Sequence, residues 1–558
     1  MFKKLFVSIF TFVILSNFAH AQREMGVRPT QSGGVLMAEQ AVYDVKHYDL
    51  ALRVNPDEQS INGVLTVKAQ IVKPTSVFVL DLDSAFKVET VNLVNSRKPF
   101  ALKFGHENGK IWIRFPTEQK IGKTVEISVA YGGKPKVAPR PPWVGGFVWS
   151  KTKDGAHWFA TAVQMDGSDL WFPVKDHPSD KADTTNLHFT VPDNLIAASN
   201  GKLQSVVDNK NGTKTFNWFI SQPISNYNIA LNVAPYKVIE DKMQSVAGDE
   251  IPIVFYVLPE HADKGQGLID KTKDYVRFFE KYLGPYPFRA DKLGIAHTPH
   301  LGMEHQSIIA YGNDFNYDKN GFDWLMFHEL GHEWWANLVT APDWNDFWIH
   351  EGFQSFMDAF YAETILGREQ FVKSLPNRIK ATKNLKPLAP REAKSTTEMY
   401  MIPPDFVRSD GDIYGKGALV LNTLRGLLGD DPDREWLEFV DVGTGRYRGA
   451  VLVDGRLLAS LFVSPTHELP PRNWLAGLFA VQELGAAERA SLLVGRPGGG
   501  QRDCGRIVCA CFGVGLNTLT AAIRERGLTT PEAIGATLKA GTNCGSCVPE
   551  LRQLIARV

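Results

Sequence analysis

From residue 40 to 235, apolar and polar side chains alternate repeatedly. Examples are Leu65-Thr66-Val67-Lys68-Ala69-Gln70-Ile71, Ile111-Trp112-Ile113-Arg114-Phe115 and Val125-Glu126-Ile127-Ser128-Val129. A period of two sends successive side chains to opposite faces of a strand. These runs, separated by Gly, Asn and Pro, therefore predict half-buried strands in a β-rich domain. The pattern changes after Pro259. Leu268, Tyr275, Phe278, Phe279 and Tyr282 fall mostly on one side of a helix predicted from Lys264 to Leu283, which Gly284-Pro285 closes. Helical periodicity dominates from Phe322 to Leu366 and resumes from Gly415 to Leu428. Chemistry is expected at or near the junction of the β and helical parts.

Composition adds a division that periodicity does not show. The 558 residues suggest about three or four domains. The 44% apolar and 22% charged content is that of globular protein and argues against disorder, collagen and coiled coil. The 61 basic and 61 acidic side chains cancel, which argues against a whole-protein surface for nucleic acid. No internal apolar run reaches the ~20 residues of a membrane span. Residues 1–433 hold 34 Lys and 13 Arg, whereas 434–558 hold 1 Lys and 13 Arg. All five cysteines (Cys504, Cys509, Cys511, Cys544, Cys547) also lie in that tail. The change near Asp433/Arg434 marks two unlike segments. At the other end, Lys3-Lys4, an apolar stretch from Leu5 to Phe18 and Ala19-His20-Ala21 form a secretory signal pattern over 1–21. The mature protein is then expected to be secreted or periplasmic. The first 503 residues, having no cysteine, cannot depend on disulfides.

The strongest chemical signal is His328-Glu329-Leu330-Gly331-His332 within an apolar, aromatic helical stretch. Positions i and i+4 share a helix face, so both imidazoles can reach one metal ion. Glu329, beside the first ligand, can reach a metal-bound water. A catalytic zinc needs a third protein ligand and an open position. Glu351, 19 residues after His332 at the start of a second amphipathic helix, supplies it. Asp358, seven residues further on the same face, is either an acceptor for a ligand imidazole or a solvated surface carboxylate.

The pentapeptide, the Glu at that spacing and Trp344-Asn345-Asp346-Phe347-Trp348-Ile349-His350-Glu351-Gly352-Phe353 resemble the membrane alanyl aminopeptidase family of gluzincin zinc metallopeptidases. Leu301-Gly302-Met303-Glu304-His305 resembles that family's Gly-x-Met-Glu-Asn exopeptidase motif. Trp171-Phe172-Pro173 with Asp176, Pro178, Lys181 and Ala182 resembles its β-domain signature. Pro223-Ile224-Ser225-Asn226-Tyr227, Gly284-Pro285-Tyr286-Pro287-Phe288 and Tyr414-Gly415-Lys416-Gly417-Ala418 are also similar to it, in the family's order over about residues 40–433.

The resemblance implies one zinc ion on His328, His332 and Glu351, with Glu329 as general base and Tyr414 donating to the oxyanion. It implies substrate binding by Gly302, Met303 and Glu304, with Gln164 assisting, and peptides with free amino termini as partners. Two departures stand out. Leu301 replaces the motif's first Gly and His305 its Asn, so side-chain preference does not carry over. The family's further helices do not follow Asp433.

In the tail, Cys509-Ala510-Cys511 and Cys544-Gly545-Ser546-Cys547 bracket a helix from Leu516 to Arg526 and a second opened by Thr530-Pro531, with Gly541 just past its end. Four grouped thiols suit a 2Fe-2S cluster or structural zinc, or are inert. The arrangement resembles the bacterioferritin-associated ferredoxin-like 2Fe-2S domain. Residues 434–500 resemble the segment before such a domain at the end of assimilatory nitrate reductases. The two segments are unlike companions, because an exported chain crosses unfolded whereas iron-sulfur clusters are inserted in the cytoplasm; a fusion of unrelated coding sequences is expected.

The expected fold is α+β and multidomain. It has a signal peptide (1–21), a β-sandwich or saddle domain (22–240), a thermolysin-like, mainly helical, truncated catalytic domain (241–433), a small β-containing segment (434–500) and a small helical 2Fe-2S domain (501–558). The leading function is a secreted zinc aminopeptidase. The alternatives are an electron-transfer protein acting through the tail and a catalytically dead peptide binder.

Overall fold

The structure is a computed structural model. It describes residues 32–558 except 95–98, 165, 383, 385–387, 390–411, 430–433, 442, 444–445, 465–469, 498–503, 506, 510, 544, 546 and 558. The leader expected over 1–21, Asp433 at the composition change and Cys544 lie outside the described residues.

The alternating runs form an eight-stranded sheet. Its order is Lys202–Asp208, Thr213–Ile220, Thr184–Pro192, Tyr43–Asn55, Ser60–Ile71, Thr124–Gly133, Phe86–Leu93 and Phe100–Ala101. The pair between Tyr43–Asn55 and Thr184–Pro192 is parallel, and the other neighbours are antiparallel. Leu65, Val67, Ala69 and Ile71 face inward while Val64, Lys68 and Gln70 face outward, as period two requires. A three-stranded sheet (Lys103–Glu107, Lys110–Gln119, Thr75–Asp81) places Phe78, Leu80, Ile111 and Ile113 in the same core. A four-stranded sheet (Ile196–Ser199, Leu231–Ala234, His157–Ala162, Gly146–Lys151) carries the chain toward the helical part. There Trp158 Nε1 donates to the His297 carbonyl at 3.2 Å, and Asn200 Nδ2 donates to the Gln306 carbonyl at 2.6 Å.

The next layer is a five-stranded sheet ordered Lys237–Gln244, Glu250–Val257, Leu293–His297, Ile309–Tyr311 and Gly302–Met303. Helix α1 (Ala262–Leu283) packs Leu268, Ile269, Val276 and Phe279 into a core with Ile253, Phe255 and Ile295. Helix α2 (Trp324–Gly331) opens with the Asp323 side chain accepting from Met326 N, and helix α3 (Trp348–Leu366) ends at Gly367. Stacking of Phe327 on Phe279 and on Tyr361 ties α2 to both helices. Helices α4 (Arg368–Ala381) and α5 (Gly415–Leu428) follow.

The helical stretch over 322–366 is two helices, the second opening just before Glu351 as expected, while the first ends at Gly331, short of Trp334 and Trp335. His332 keeps helical angles (φ −65°, ψ −15°) as the cap of α2, and the chain then turns, with Ala336 at φ 150°. The aromatic residues that made this stretch look helical serve other contacts. Trp334 stacks on Phe279, and the Trp335 carbonyl is taken by His332 Nδ1. Among the described residues no helix is long and apolar enough to cross a membrane.

Residues 422–558 form a second compact unit. Three antiparallel strands (Glu435–Asp441, Arg446–Val453, Arg456–Val463) share a core with α6 (Arg472–Phe479) and α7 (Ala486–Val494) through Leu452, Leu457, Leu478 and Leu492. The hairpin Ile507–Cys509/Val514–Gly515 leads into α8 (Leu516–Arg526), α9 (Pro531–Leu538) and α10 (Val548–Arg557). Thr530 caps α9 by accepting from Ala533 N. The left-handed residue ending α9 is Lys539 (φ 60°), ahead of Gly541.

Candidate active site

His328 and His332 project from α2 toward Glu351 in the first turn of α3. The ligand atoms form a nearly equilateral triangle. His328 Nε2 and His332 Nε2 are 3.3 Å apart, and each lies 3.4 Å from Glu351 Oε2. Ligand atoms at zinc bond lengths of ~2.0–2.1 Å in a tetrahedron stand about 3.3 Å apart, so the triangle fits zinc. The second nitrogens are committed elsewhere: His328 Nδ1 to Asp358 Oδ2 at 2.9 Å and His332 Nδ1 to the Trp335 carbonyl at 2.9 Å. Those bonds leave both Nε2 atoms free of hydrogen for a metal. Asp358 is thus the imidazole acceptor of the two readings open in the sequence, and it accepts in turn from Gln354 Nε2 at 3.0 Å. Among the described residues this is the group of donors that could hold a metal ion.

The electrostatics suit a cation. Burial pushes the Glu329 carboxyl up to about 8, with Glu304 and Glu351 adding to it and the two imidazoles opposing. Burial also raises Glu304. Burial disfavours a charged His328 ring, yet Asp358 and then Glu351 outweigh it and hold its pKa well above the ordinary value. Buried carboxyls that hold their protons above the ordinary range, beside imidazoles held charged by Asp358 and Glu351, make a site that a divalent ion would suit.

One cleft of about 320 Å³ joins these groups to the rest of the predicted set. Gln164, Gly302, Met303, Glu304, Glu329 and Tyr414 all line it with the three ligands. Gly302 and Met303 form the sheet edge, pairing with Tyr311 and Ala310. A Cβ on Gly302 would lie 2.6 Å from Glu329 Oε1 and 2.6 Å from Leu325 Cδ1, so a side chain there would displace the Glu329 carboxylate or the Leu325 methyl. Glu304 follows directly. Its Oε1 accepts from Gln164 Nε2, 140 residues away in the β domain, and from Tyr227 OH at 3.2 Å. Of the two departures, Leu301 lines the cleft, whereas His305 is fully buried and burial lowers its pKa to about 3.

Tyr414 reaches the cleft because α3 and α5 nearly touch. A Cβ on Gly417 would lie 2.7 Å from Gly352 Cα, and one on Gly352 would lie 2.9 Å from Gly417 Cα. The glycine after the ligand Glu351 thus meets the glycine three residues after Tyr414. Sequence reading missed this crossing, and also gave Tyr227 no role. Both lay within quoted motifs, so the signal was a pair of small residues and an aromatic in matched text. Trp143 and Trp324, which also line the cleft, carried no signal.

In the tail, Cys509 and Cys547 are buried and hydrogen-bonded to each other, and Cys511 is exposed. Burial opposes ionisation of Cys509, but the backbone groups of Gly541 and Phe512 hold its pKa below the ordinary value. A cysteine sulfur faced by backbone N–H groups suits a cluster.

Comparison with known proteins agrees with this geometry. Residues 44–228 match the peptidase M1 N-terminal domain, 268–440 the peptidase family M1 domain and 507–557 the BFD-like [2Fe-2S] binding domain. Similar curated proteins include leucine aminopeptidase 2 of Vanderwaltozyma polyspora (26% identity, 58% of this chain, 48% of that protein). Mouse aminopeptidase N (28%, 56% and 34%) and human endoplasmic reticulum aminopeptidase 1 (24%, 69% and 42%) are others. The chain spans less than half the length of each of these relatives. Similar solved structures include an M1 zinc metallopeptidase from Deinococcus radiodurans (24% identity, TM-score 0.57, 70% of this chain, 83% of that chain). Another is a two-domain M1 zinc metallopeptidase mutant bound to L-tryptophan (23%, 0.57, 72% and 85%). Zinc and a [2Fe-2S] cluster are the cofactors these families bring. The chain therefore carries both domains of peptidase family M1, to which it belongs, followed by a BFD-like [2Fe-2S] binding domain.

Proposed function

We propose that the protein is a zinc-dependent aminopeptidase that removes amino-terminal residues from peptides. The observation that carries this reading is a second carboxylate, Glu304, held by Gln164 and Tyr227 in the cleft that contains the His328–His332–Glu351 triangle. A zinc site alone suits any hydrolase of this chemistry. A buried carboxylate beside it suits one ligand feature, the α-ammonium of a peptide's first residue, and so sets the reaction at the chain end.

The residues divide the work as follows. Held by His328, His332 and Glu351, zinc supplies Lewis acidity toward the scissile carbonyl and lowers the pKa of water. Glu329, raised by burial, takes the water proton and returns it to the leaving amine. Tyr414 donates a hydrogen bond to the negative charge that develops on the carbonyl oxygen. Glu304 and Gln164 hold the ammonium, while Gly302 and Met303 offer a short sheet edge to the substrate backbone. A two-domain M1 zinc metallopeptidase mutant is matched over 85% of its length, which supports reading the β-rich and helical parts as one two-domain fold.

The tail is read as a separate segment joined to the peptidase. The lysine-to-arginine switch near residue 434 and the separate compact unit support a fusion, although the family M1 match runs a few residues past the switch. The signal pattern over 1–21 supports secretion. The function is tested with amino-acid anilides and their N-acetyl counterparts. Hydrolysis of the free-amino set alone is expected; equal hydrolysis of the blocked set overturns the exopeptidase reading.

A further inference from the structure

Glu304 is fixed through its backbone as well as its carboxylate. Its carbonyl accepts from Asn228 Nδ2 at 2.9 Å and from Asn337 Nδ2 at 2.8 Å. The asparagines come from different parts of the chain and are hydrogen-bonded to each other. Asn228 ends a short turn of the β domain, and Asn337 follows the ligand His332 by five residues. Asn337 also donates its backbone N–H to the His332 carbonyl at 3.0 Å. One residue thereby joins the backbone of a metal ligand to the backbone of the ammonium anchor.

The amide orientation is over-determined. Asn337 Nδ2 faces two acceptors, the Glu304 carbonyl and Glu333 Oε2 at 3.2 Å, so the nitrogen must point there. Its oxygen then receives Asn228 Nδ2. Its carbonyl receives Lys181 Nζ at 2.6 Å, and Glu333 accepts from Ser307 N at 2.8 Å and Tyr286 OH at 3.2 Å. Asn228, Asn337, Glu333 and Ser307 are each 2% exposed or less. The sheet does not supply this hold. The edge pairs through Gly302 and Met303, and Glu304 lies just beyond them.

We propose that Asn337 and Asn228 are positioning residues that set the separation between the Glu304 carboxylate and the metal ligands, and so fix the cut at one residue from the chain end. The proposal rests on the aminopeptidase reading and goes beyond it by assigning what holds the two halves of the site in register.

The test uses the zinc-loaded full chain and two ligands, L-leucine hydroxamate and acetohydroxamate, measured by calorimetry. Both can chelate zinc, and only the first carries an α-ammonium. Asn337→Ala and Asn228→Ala should each weaken L-leucine hydroxamate about tenfold, the scale of a lost buried hydrogen bond. Acetohydroxamate affinity and zinc content should not change. Glu304→Ala should remove the preference, and Asn337→Ala should add nothing in that background. If Asn337→Ala does not fold, Asn228→Ala, which alters the β-domain partner and leaves the chain after His332 intact, carries the same expectation. Equal weakening of both ligands, additivity with Glu304→Ala, or a preference kept by both asparagine variants overturns the clamp. A wild type with no preference for the amino ligand overturns the aminopeptidase reading and the clamp with it.

Discussion

Replacing Gly417 with Ala tests the crossing of α3 and α5. The added Cβ would sit 2.7 Å from Gly352 Cα, whereas ordinary contact begins near 3.4 Å. The obstacle is backbone, so a rotamer change cannot relieve it, and α5 must retreat by about 0.7–1 Å in a close-packed core. Tyr414 sits at the start of that helix and moves with it. A 1 Å misplacement of a catalytic group costs about 10²-fold in rate. Overpacking costs about 1–3 kcal/mol, offset by about 1 kcal/mol because Ala favours the helix over Gly. The expected variant therefore keeps its zinc, loses about 0–2 kcal/mol of stability and loses about 10²-fold in kcat on an aminoacyl anilide. Gly426→Ala on the same helix is the control, since nothing lies within 4 Å of its added Cβ. It should keep full activity and gain stability. A Gly417→Ala enzyme with kcat within threefold of wild type would refute the argument that this contact places Tyr414.

Three further outcomes follow from the structure. Asp358→Ala frees the His328 ring from its 2.9 Å partner and should weaken zinc about 10–100-fold in a chelator competition, with the fold retained. Burial holds His297 and His300 near about 4 and His305 near about 3, with His261 adding to the effect at His297. All three lie below the ordinary 6.5, so the unfolded chain takes up protons first. Their contribution is complete above pH 6.5 and is lost as pH falls toward about 4, by at most about 1.4 kcal/mol per pH unit for each ring. Tm should fall over that window, and His305→Asn should make the fall shallower. Replacing Cys509 and Cys544 by Ser should remove visible iron-sulfur absorbance and leave anilide hydrolysis unchanged; a folded, zinc-loaded variant without hydrolysis would show that the tail takes part in the reaction.

The β domain was legible because one buried face forces period two, as Leu65, Val67, Ala69 and Ile71 illustrate. The grouping of His328, His332 and Glu351 was legible because the two histidines share one helix face and the glutamate opens the next helix. The spacing carried no information on what meets what across the fold. Gln164 lies 140 residues from Glu304, and their contact depends on two domains docking around one cleft. The Gly352–Gly417 approach is a matter of helix crossing, which no local pattern encodes. The stretch after His332 misled because Trp334 and Trp335 prolong the apolar, aromatic run, while the chain turns there to bring the Trp335 carbonyl to His332 Nδ1 and the Asn337 side chain to the Glu304 carbonyl. Asn337 sits in that turn, and a single asparagine in a loop carries no sequence signature of a bridge.

The central claim is that Glu329 is the base of a zinc site and not one of its ligands. Glu329→Gln, assayed for zinc by mass spectrometry of the purified full chain and for hydrolysis of a free-amino anilide, addresses it directly. The amide keeps the shape beside Gly302 and cannot take a proton. The expected result is one zinc per chain, as in the wild type, with hydrolysis lowered about 10²–10⁴-fold. Parallel loss of zinc and activity, or unchanged hydrolysis with zinc bound, would contradict it.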